Sequence, residues 1–183
     1  MTREEAWEVL TKYTKKEGLI KHALAVEAIM RSYAKKFGED EDAWGVVGLI
    51  HDFDYEMYPE APDHPVKGSE ILKELGFPEE YRRVILSHAP YTGVPRDTQM
   101  AKTLFAVDEL AGFITAVALV RPSKEVKEVK VKSVRKKFKN KAFAAAVSRE
   151  EIKTGIEELG VDETEHIQFC IDAMVSIADE LGL

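Results

Sequence analysis

The spacing of apolar residues is the feature that most constrains how this chain folds. Along nearly its whole length apolar side chains recur every three or four residues, and no segment shows convincing two-residue alternation. That period is typical of amphipathic α-helices and argues against β-strands. Hydrophobic residues make up 45% of the 183 residues, which is enough for a sizeable core. We therefore predict an all-α fold, a helical bundle.

Capping residues and helix breakers divide this pattern into separate helices. The predicted helices run from Thr2 to about Lys16, about Leu19 to Phe37, Asp42 to about Asp52, Pro65 to Gly76, Pro78 to about Ala89, and Asp97 to Val120. Two further helix starts are predicted from capping-type pairs, Ser148 with Glu151 and Asp162 with Glu165.

The domain organisation follows from the absence of a long linker. The composition changes only after Pro122, where residues 124–141 contain nine Lys or Arg and two acidic residues. We predict a single domain over residues 1–183, with a core of about 19–123 and a C-terminal helical lobe of about 124–183.

Charge and composition exclude several classes of protein. The formal net charge of −7 makes nucleic acid an unexpected partner. Cys170 is the only cysteine, so neither an intrachain disulfide nor a cysteine-based zinc site is expected. The longest apolar run, from Leu110 to Val120, is too short to span a bilayer, and the first residues lack an apolar signal region. A cytoplasmic location without a membrane partner is therefore expected.

Four predicted helices each place one ionisable side chain on the face that the apolar pattern would bury. Taken singly, a histidine there could be a hydrogen-bonded core residue, and an aspartate could pair with an arginine. Together they favour a divalent cation, because buried carboxylates need partners and because imidazole and carboxylate are good metal ligands. The four residues are His22, His51, His88 and Asp108.

The order of these residues resembles a known family. His22, then His51-Asp52, then Asp108 resembles the H…HD…D signature of the HD superfamily of metal-dependent phosphohydrolases. The resemblance covers about residues 19–123. Three further segments resemble elements of its binuclear subgroups: His64-Pro65-Val66-Lys67-Gly68, Leu86-Ser87-His88, and Ala106-Val107-Asp108-Glu109-Leu110 followed by Arg121-Pro122.

The resemblance implies an all-α fold with a metal site between the helices. It implies that one ion is bound by His22, His51, Asp52 and Asp108. A second would be bound by His64 and His88, with Asp52 bridging. The alternative is a mononuclear site, in which His64 caps its helix and His88 bonds a backbone carbonyl.

The implied activity is metal-dependent hydrolysis of a phosphate mono- or diester, with a phosphorylated small molecule or nucleotide as the partner. Residues 88–93 lack the double histidine and the Gly-Tyr-Pro element of cyclic-dinucleotide phosphodiesterases, which argues against those substrates. Imidazole ligands favour Mn, Fe, Co, Ni or Zn over Mg alone. A metal-binding sensor with little turnover is the alternative function, and a nucleic-acid contact by the basic segment is a third.

Roles are predicted for several residues beyond the ligands. Asp52 is expected to orient the attacking water, and Lys67, one turn after His64, to reach a phosphate oxygen, although a solvated surface lysine fits Lys67 equally well. Arg121 and Lys132 are predicted to attract the phosphate. Asp54, Glu56 and Asp63 are expected to form a solvated acidic loop, and the alternative is that they orient the metal ligands. The remaining expectations are a structural His166 and core packing for Phe138 and Phe143.

Overall fold

The structure, a computed structural model, describes all residues from 1 to 183. It contains ten α-helices and two short 3₁₀ turns and no β-strand, so the predicted all-α fold is confirmed. The helices are α1 (Arg3–Tyr13), α2 (Glu17–Phe37), α3 (Glu41–Ile50), α4 (Asp63–Glu74), α5 (Glu79–Ser87), α6 (Gln99–Leu119), α7 (Val131–Phe138), α8 (Arg149–Leu159), α9 (Glu163–Val175) and α10 (Ala178–Leu181).

The predicted helix ends agree with the structure where the capping chemistry is strong. Thr2 forms a complete capping box at α1, and Gly38 ends α2 with a positive φ of 74°. Ser148 and Asp162 each accept hydrogen bonds from backbone N–H groups of the helix that follows. Helix α1 ends at Tyr13 rather than near Lys16.

Two helices were not predicted. Helix α7 lies in the basic segment, where abundant lysines hide an apolar spacing carried by Val131, Val134 and Phe138. Helix α10 is only 4 residues long, which is too short for a periodic signal. The division into a core of about 19–123 and a lobe of about 124–183 stays a prediction, while one cluster of 42 buried apolar residues draws on both parts.

Helices α2 and α6, each of 21 residues, form the centre of the bundle. Helix α2 packs against α3 and α6, and α6 packs against α8. Helices α2 and α3 approach each other closely at Gly48, where an added Cβ atom would lie only 3.0 Å from Met30 Cγ. This packing brings one end of α2 next to one end of α3, and both of these ends carry polar residues. None of the helices combines the length and apolar character needed to cross a membrane.

Residues at the interface of the two predicted parts are structural. The Tyr33 hydroxyl lies 2.5 Å from His166 Nδ1, and the same ring donates through Nε2 to the Ala106 carbonyl at 3.0 Å. The rings of Phe138 and Phe143 lie 4.6 and 5.5 Å from the ring of Phe113. The predictions of a structural His166 and of core packing for these two phenylalanines are confirmed.

Candidate metal centre

Six ionisable side chains from five helical segments meet between the helices of the bundle. They form two groups whose ligand-capable atoms all lie within 4.8 Å of one another. One group contains His22 from α2, His51 and Asp52 from the end of α3, and Asp108 from α6. The other contains Asp52, His64 from the start of α4, and His88 from the end of α5. Asp52 belongs to both groups.

The distances between these atoms suit shared coordination of cations. His22 Nε2 and His51 Nε2 lie 3.0 and 3.3 Å from Asp108 Oδ1. His64 Nε2 and His88 Nε2 each lie 3.2 Å from Asp52 Oδ1. With metal–ligand bonds of about 2.1 Å, neighbouring ligand atoms of a tetrahedral or octahedral shell lie about 3.0 to 3.4 Å apart.

Asp52 gives an independent indication that a cation belongs here. Its Oδ1 atom is buried and has no hydrogen-bond partner, although three imidazole nitrogens lie within 3.5 Å of it. A buried carboxylate oxygen without a partner is costly. A divalent ion would be bound by the converging lone pairs of the carboxylate and the imidazoles, so the donor set fits a metal.

In each buried histidine of the cluster, Nδ1 is already engaged in a hydrogen bond. His51 Nδ1 donates to the Gly48 carbonyl at 2.8 Å, and His88 Nδ1 donates to the Ile85 carbonyl at 2.5 Å. His64 Nδ1 donates to a carboxylate at 2.9 Å. These bonds hold one proton on Nδ1, so that in the neutral ring the Nε2 lone pair faces the cluster, as in known metal sites.

The mononuclear alternative for His64 and His88 needs correction in one part. The ring nitrogens of His64 contact Asp54, His88 and Asp52 rather than a backbone N–H of α4, so its side chain does not act as a helix cap. The expected carbonyl bond of His88 does exist, but it uses Nδ1 and turns Nε2 toward Asp52. Both rings therefore face the shared carboxylate.

The carboxylate that receives the His64 proton is Asp54, and here the predicted solvated loop is wrong. Asp54 is fully buried and accepts from His64 through Oδ1 and from the Gly68 N–H at 2.9 Å through Oδ2. A Cβ atom at Gly68 would lie 2.6 Å from Asp54 Cγ, so only glycine leaves room. Glu56 and Asp63, in contrast, are not buried.

We expect Asp54→Asn to lower metal affinity or activity by about 10- to 100-fold, as losses of outer-shell partners do. Asparagine keeps only one acceptor oxygen where two N–H groups now donate. Asp63→Asn, at the exposed first position of α4, is the matched control and should leave both unchanged. Equal behaviour of the two variants would contradict the orienting role of Asp54.

The electrostatics of the cluster are set by opposite charges that outweigh burial. Burial alone would lower the pKa of His64, but the adjacent carboxylates of Asp52 and Asp54 raise that pKa to about 10. Burial also lowers the pKa of His51 and His88, but the negative charge of Asp52 opposes it and the net shift is upward. Burial would raise the pKa of Asp52 and Asp108, and the charge of His51 holds both below their usual range.

These shifts predict that metal binding releases protons at pH 7.5. An ordinary histidine is already about nine-tenths neutral there, whereas metal-free His64, with a pKa near 10, still carries its proton. The stability that this proton adds to the metal-free chain is fully present below the unfolded pKa and is lost as the pH rises through 10. Metal requires neutral imidazole, so affinity should rise with pH by up to about tenfold per unit for each proton displaced.

The proton release can be measured by titrating the metal calorimetrically in two buffers with different ionisation enthalpies. Metal binding to the wild-type chain at pH 7.5 should show a buffer-dependent enthalpy. An enthalpy independent of the buffer would contradict the raised pKa of His64.

Three predicted site residues do not join the cluster. Lys67 is exposed on α4, with Nζ 3.2 Å from Glu70. Arg121 lies 3.4 Å from Glu128. It follows the end of α6 at Leu119, which is about 16 Å along the helix axis from Asp108. Lys132 lines a different cavity that contains none of the six clustered residues. Their roles stay predictions.

Two glutamates at the edge of the cluster were missed. Burial, helped by the charge of Asp108, raises the pKa of Glu109 to about 7 and also raises that of Glu151. Glu109 accepts a hydrogen bond from the Ser148 N–H at 3.0 Å and so joins α6 to the start of α8. The sequence had suggested only a capping role for Glu151, since no periodic signal shows that α8 returns to the cluster.

Comparison with known proteins agrees with this geometry. A family model described as HD domain matches residues 19–112, just over half of the chain. All six clustered residues lie within the matched segment. No curated protein and no solved structure matches the chain.

Proposed function

Because the chain belongs to the HD domain family, we propose that it is a phosphohydrolase that uses two divalent ions to cleave a phosphate mono- or diester with water. The observation that carries this proposal is the position of Asp52. Its Oδ1 atom is buried without a hydrogen-bond partner, and Asp52 belongs to both groups of ligand-type residues. A carboxylate shared in this way is suited to bridge two ions.

We assign the ligands by group. His22, His51, Asp52 and Asp108 would hold the first ion, and Asp52, His64 and His88 the second. Because imidazoles dominate, we propose Mn, Fe, Co, Ni or Zn rather than Mg alone. When bound, such ions lower the pKa of a coordinated water and neutralise phosphoryl oxygens.

The exposure of the ligands indicates the side from which a substrate would enter. The side chains of His22, Asp52 and Asp108 are 20%, 19% and 17% exposed, whereas those of His64 and His88 are 7% and 6% exposed. His51 is 0% exposed, so the closed side of the cluster is formed by His51, His64 and His88, and the open edge lies beside His22, Asp52 and Asp108. A phosphate ester would approach along that edge, and the closed side would keep bulk water away from the three buried imidazoles.

The surroundings of the open edge indicate how the substrate would be held. Glu109 and Glu151 lie there, and no Lys or Arg side chain forms an ion pair with the clustered aspartates, whose charged neighbours are all histidines. Repulsion by the acidic groups disfavours a phosphate that arrives without a cation. We propose that affinity for the phosphate depends mainly on the bound ions, while Lys67 would assist from α4.

The proposal is tested with a panel of phosphomonoesters, nucleotides and phosphodiesters, assayed with added Mn²⁺, Co²⁺ or Zn²⁺ and with a chelator. We expect turnover of at least one ester class that disappears with chelator. Tight metal binding without turnover on any ester would instead support a sensor or ligand-binding module.

Two ions per chain are tested by removing one ligand of the second group. We expect His64→Ala and His88→Ala each to retain one of two ions, measured by elemental analysis, and to lose most hydrolysis. His166→Ala is not a usable control because that ring is buried in the core. His22→Ala is better, since it should disturb the first ion instead. A single ion in the wild-type chain under metal-replete conditions would contradict the binuclear site.

A further inference from the structure

A second cavity lies between α7, α8 and α9, in the part of the chain that the HD family model does not cover. Its volume is about 860 Å³, within the range of about 300 to 1,000 Å³ that is usual for small-molecule sites. Six basic side chains line it: Lys132, Arg135, Lys136, Lys139, Arg149 and Lys153.

The positive charge of this cavity is largely uncompensated. Glu163 is the only acidic residue in its lining, and it is paired with Arg135 at 2.8 Å. None of the four lysines forms an ion pair, and the Arg149 guanidinium donates to backbone carbonyls, including that of Val147, rather than to a carboxylate. In a chain with a net charge of −7, such a concentration of cations attracts an anion with several charges.

The floor of the same cavity is apolar. It is formed by Val131 and Phe138 of α7 and by Ile152 and Ile156 of α8. Phe138 is held in place by its ring contact with Phe113. A cationic rim above an apolar floor complements a molecule that joins several phosphates to a flat, largely apolar group. A polynucleotide fits less well, since its backbone needs a track of cations across the surface rather than one compact cluster.

This cavity is separate from the metal centre, although both involve α8. Arg149, Ile152, Lys153 and Ile156 have the spacing of one helix face, and all four line the cavity. Glu151 lies on a different face, where the charges of Asp108 and His88 act on it. Helix α8 therefore has one side toward each site.

We propose that the cavity between α7, α8 and α9 binds a small organic polyphosphate of the nucleotide class, at a site separate from the metal centre. This site is defined by the cavity and its charges alone and is independent of the hydrolase assignment.

The test is calorimetric titration of the full-length, metal-loaded chain with ATP, inorganic triphosphate and adenosine. ATP should bind saturably and more tightly than either of its parts alone, because it uses both the rim and the floor. The double variant Lys136→Ala/Lys153→Ala should weaken ATP binding by about tenfold or more. The matched control, Lys130→Ala/Lys141→Ala, removes two exposed lysines of the same segment that do not line the cavity. It should change the affinity for ATP by less than about twofold.

A second measurement locates the ligand. Photolabelling with 8-azido-ATP, followed by peptide mass spectrometry, should mark segments within residues 131–164, and unlabelled ATP should compete. The proposal is overturned if ATP does not saturate, if both double variants behave alike, or if the label falls only on peptides carrying the six clustered residues. Tighter binding of inorganic triphosphate, or of a single-stranded oligonucleotide in competition with ATP, would also overturn it.

Discussion

Asp52→Asn is expected to lose more than about 100-fold in hydrolysis, because loss of an outer-shell partner alone costs about 10- to 100-fold and Asp52 is assigned to both ions. Asparagine keeps the size of the side chain but removes the charge that two cations would share. The variant should remain folded, since Asp52 Oδ1 accepts no hydrogen bond within the protein. Circular dichroism in parallel with the phosphatase assay checks both statements.

The control for this result is Asp97→Asn, at an exposed position before α6. It removes the same charge from the chain and should leave hydrolysis unchanged. A folded Asp52→Asn protein with wild-type turnover would exclude the cluster as the active site. A variant that lost turnover only together with its helical content would leave Asp52 a structural role, contrary to our assignment.

Removing the metal should lower the melting temperature by roughly 10 °C. Ions present at about a thousand times their dissociation constant stabilise the native state by about 4 kcal/mol, and each kcal/mol is worth about 2 to 4 °C for a chain of this size. The physical reason is that the native chain holds four histidines and two aspartates close together, where a cation can bind them. Without the cation, the native state loses the stabilisation that this binding supplies. Thermal unfolding followed by circular dichroism, with and without chelator, measures the difference.

Specificity of this effect is shown by adding metal back. Mn²⁺ or Zn²⁺ should restore the melting temperature of the chelated wild-type chain, whereas Asp108→Asn should respond weakly, since it lacks one ligand of the first ion. If chelation leaves the wild-type melting temperature unchanged, and elemental analysis finds no transition metal before chelation, the metal centre is excluded.

The sequence predicted the six clustered residues for two different reasons. His22, His51, His88 and Asp108 stood out because each interrupts an apolar helix face. Asp52 and His64 carry no such signal, since one follows the end of α3 and the other precedes the regular part of α4. They were reached only through the order of residues in the family signature.

The sequence could not show the positions that depend on contacts between segments far apart in the chain. Asp54 was expected in solvent because its loop is acidic. It is instead buried, and its carboxylate accepts a hydrogen bond from the backbone N–H of Gly68. Glu151 was expected at the start of a helix, and it does lie there, but only the packing of α8 on α6 brings it near Asp108. Local patterns describe elements well, whereas the pairing of elements depends on contacts between residues far apart in the chain.

The hydrogen-bond acceptors of the clustered histidines determine which substitutions this site can tolerate as sequences diverge. His51 and His88 are oriented by backbone carbonyls of their own helices, and every amino acid supplies such a carbonyl. Substitution at Ile85 therefore leaves the orientation of His88 intact as long as the helix persists. His64 depends instead on one carboxylate, and that carboxylate depends on the absence of a side chain at Gly68. Under the proposed assignment, a single substitution at Asp54 or Gly68 would therefore be enough to lose the second ion without changing any of its ligands.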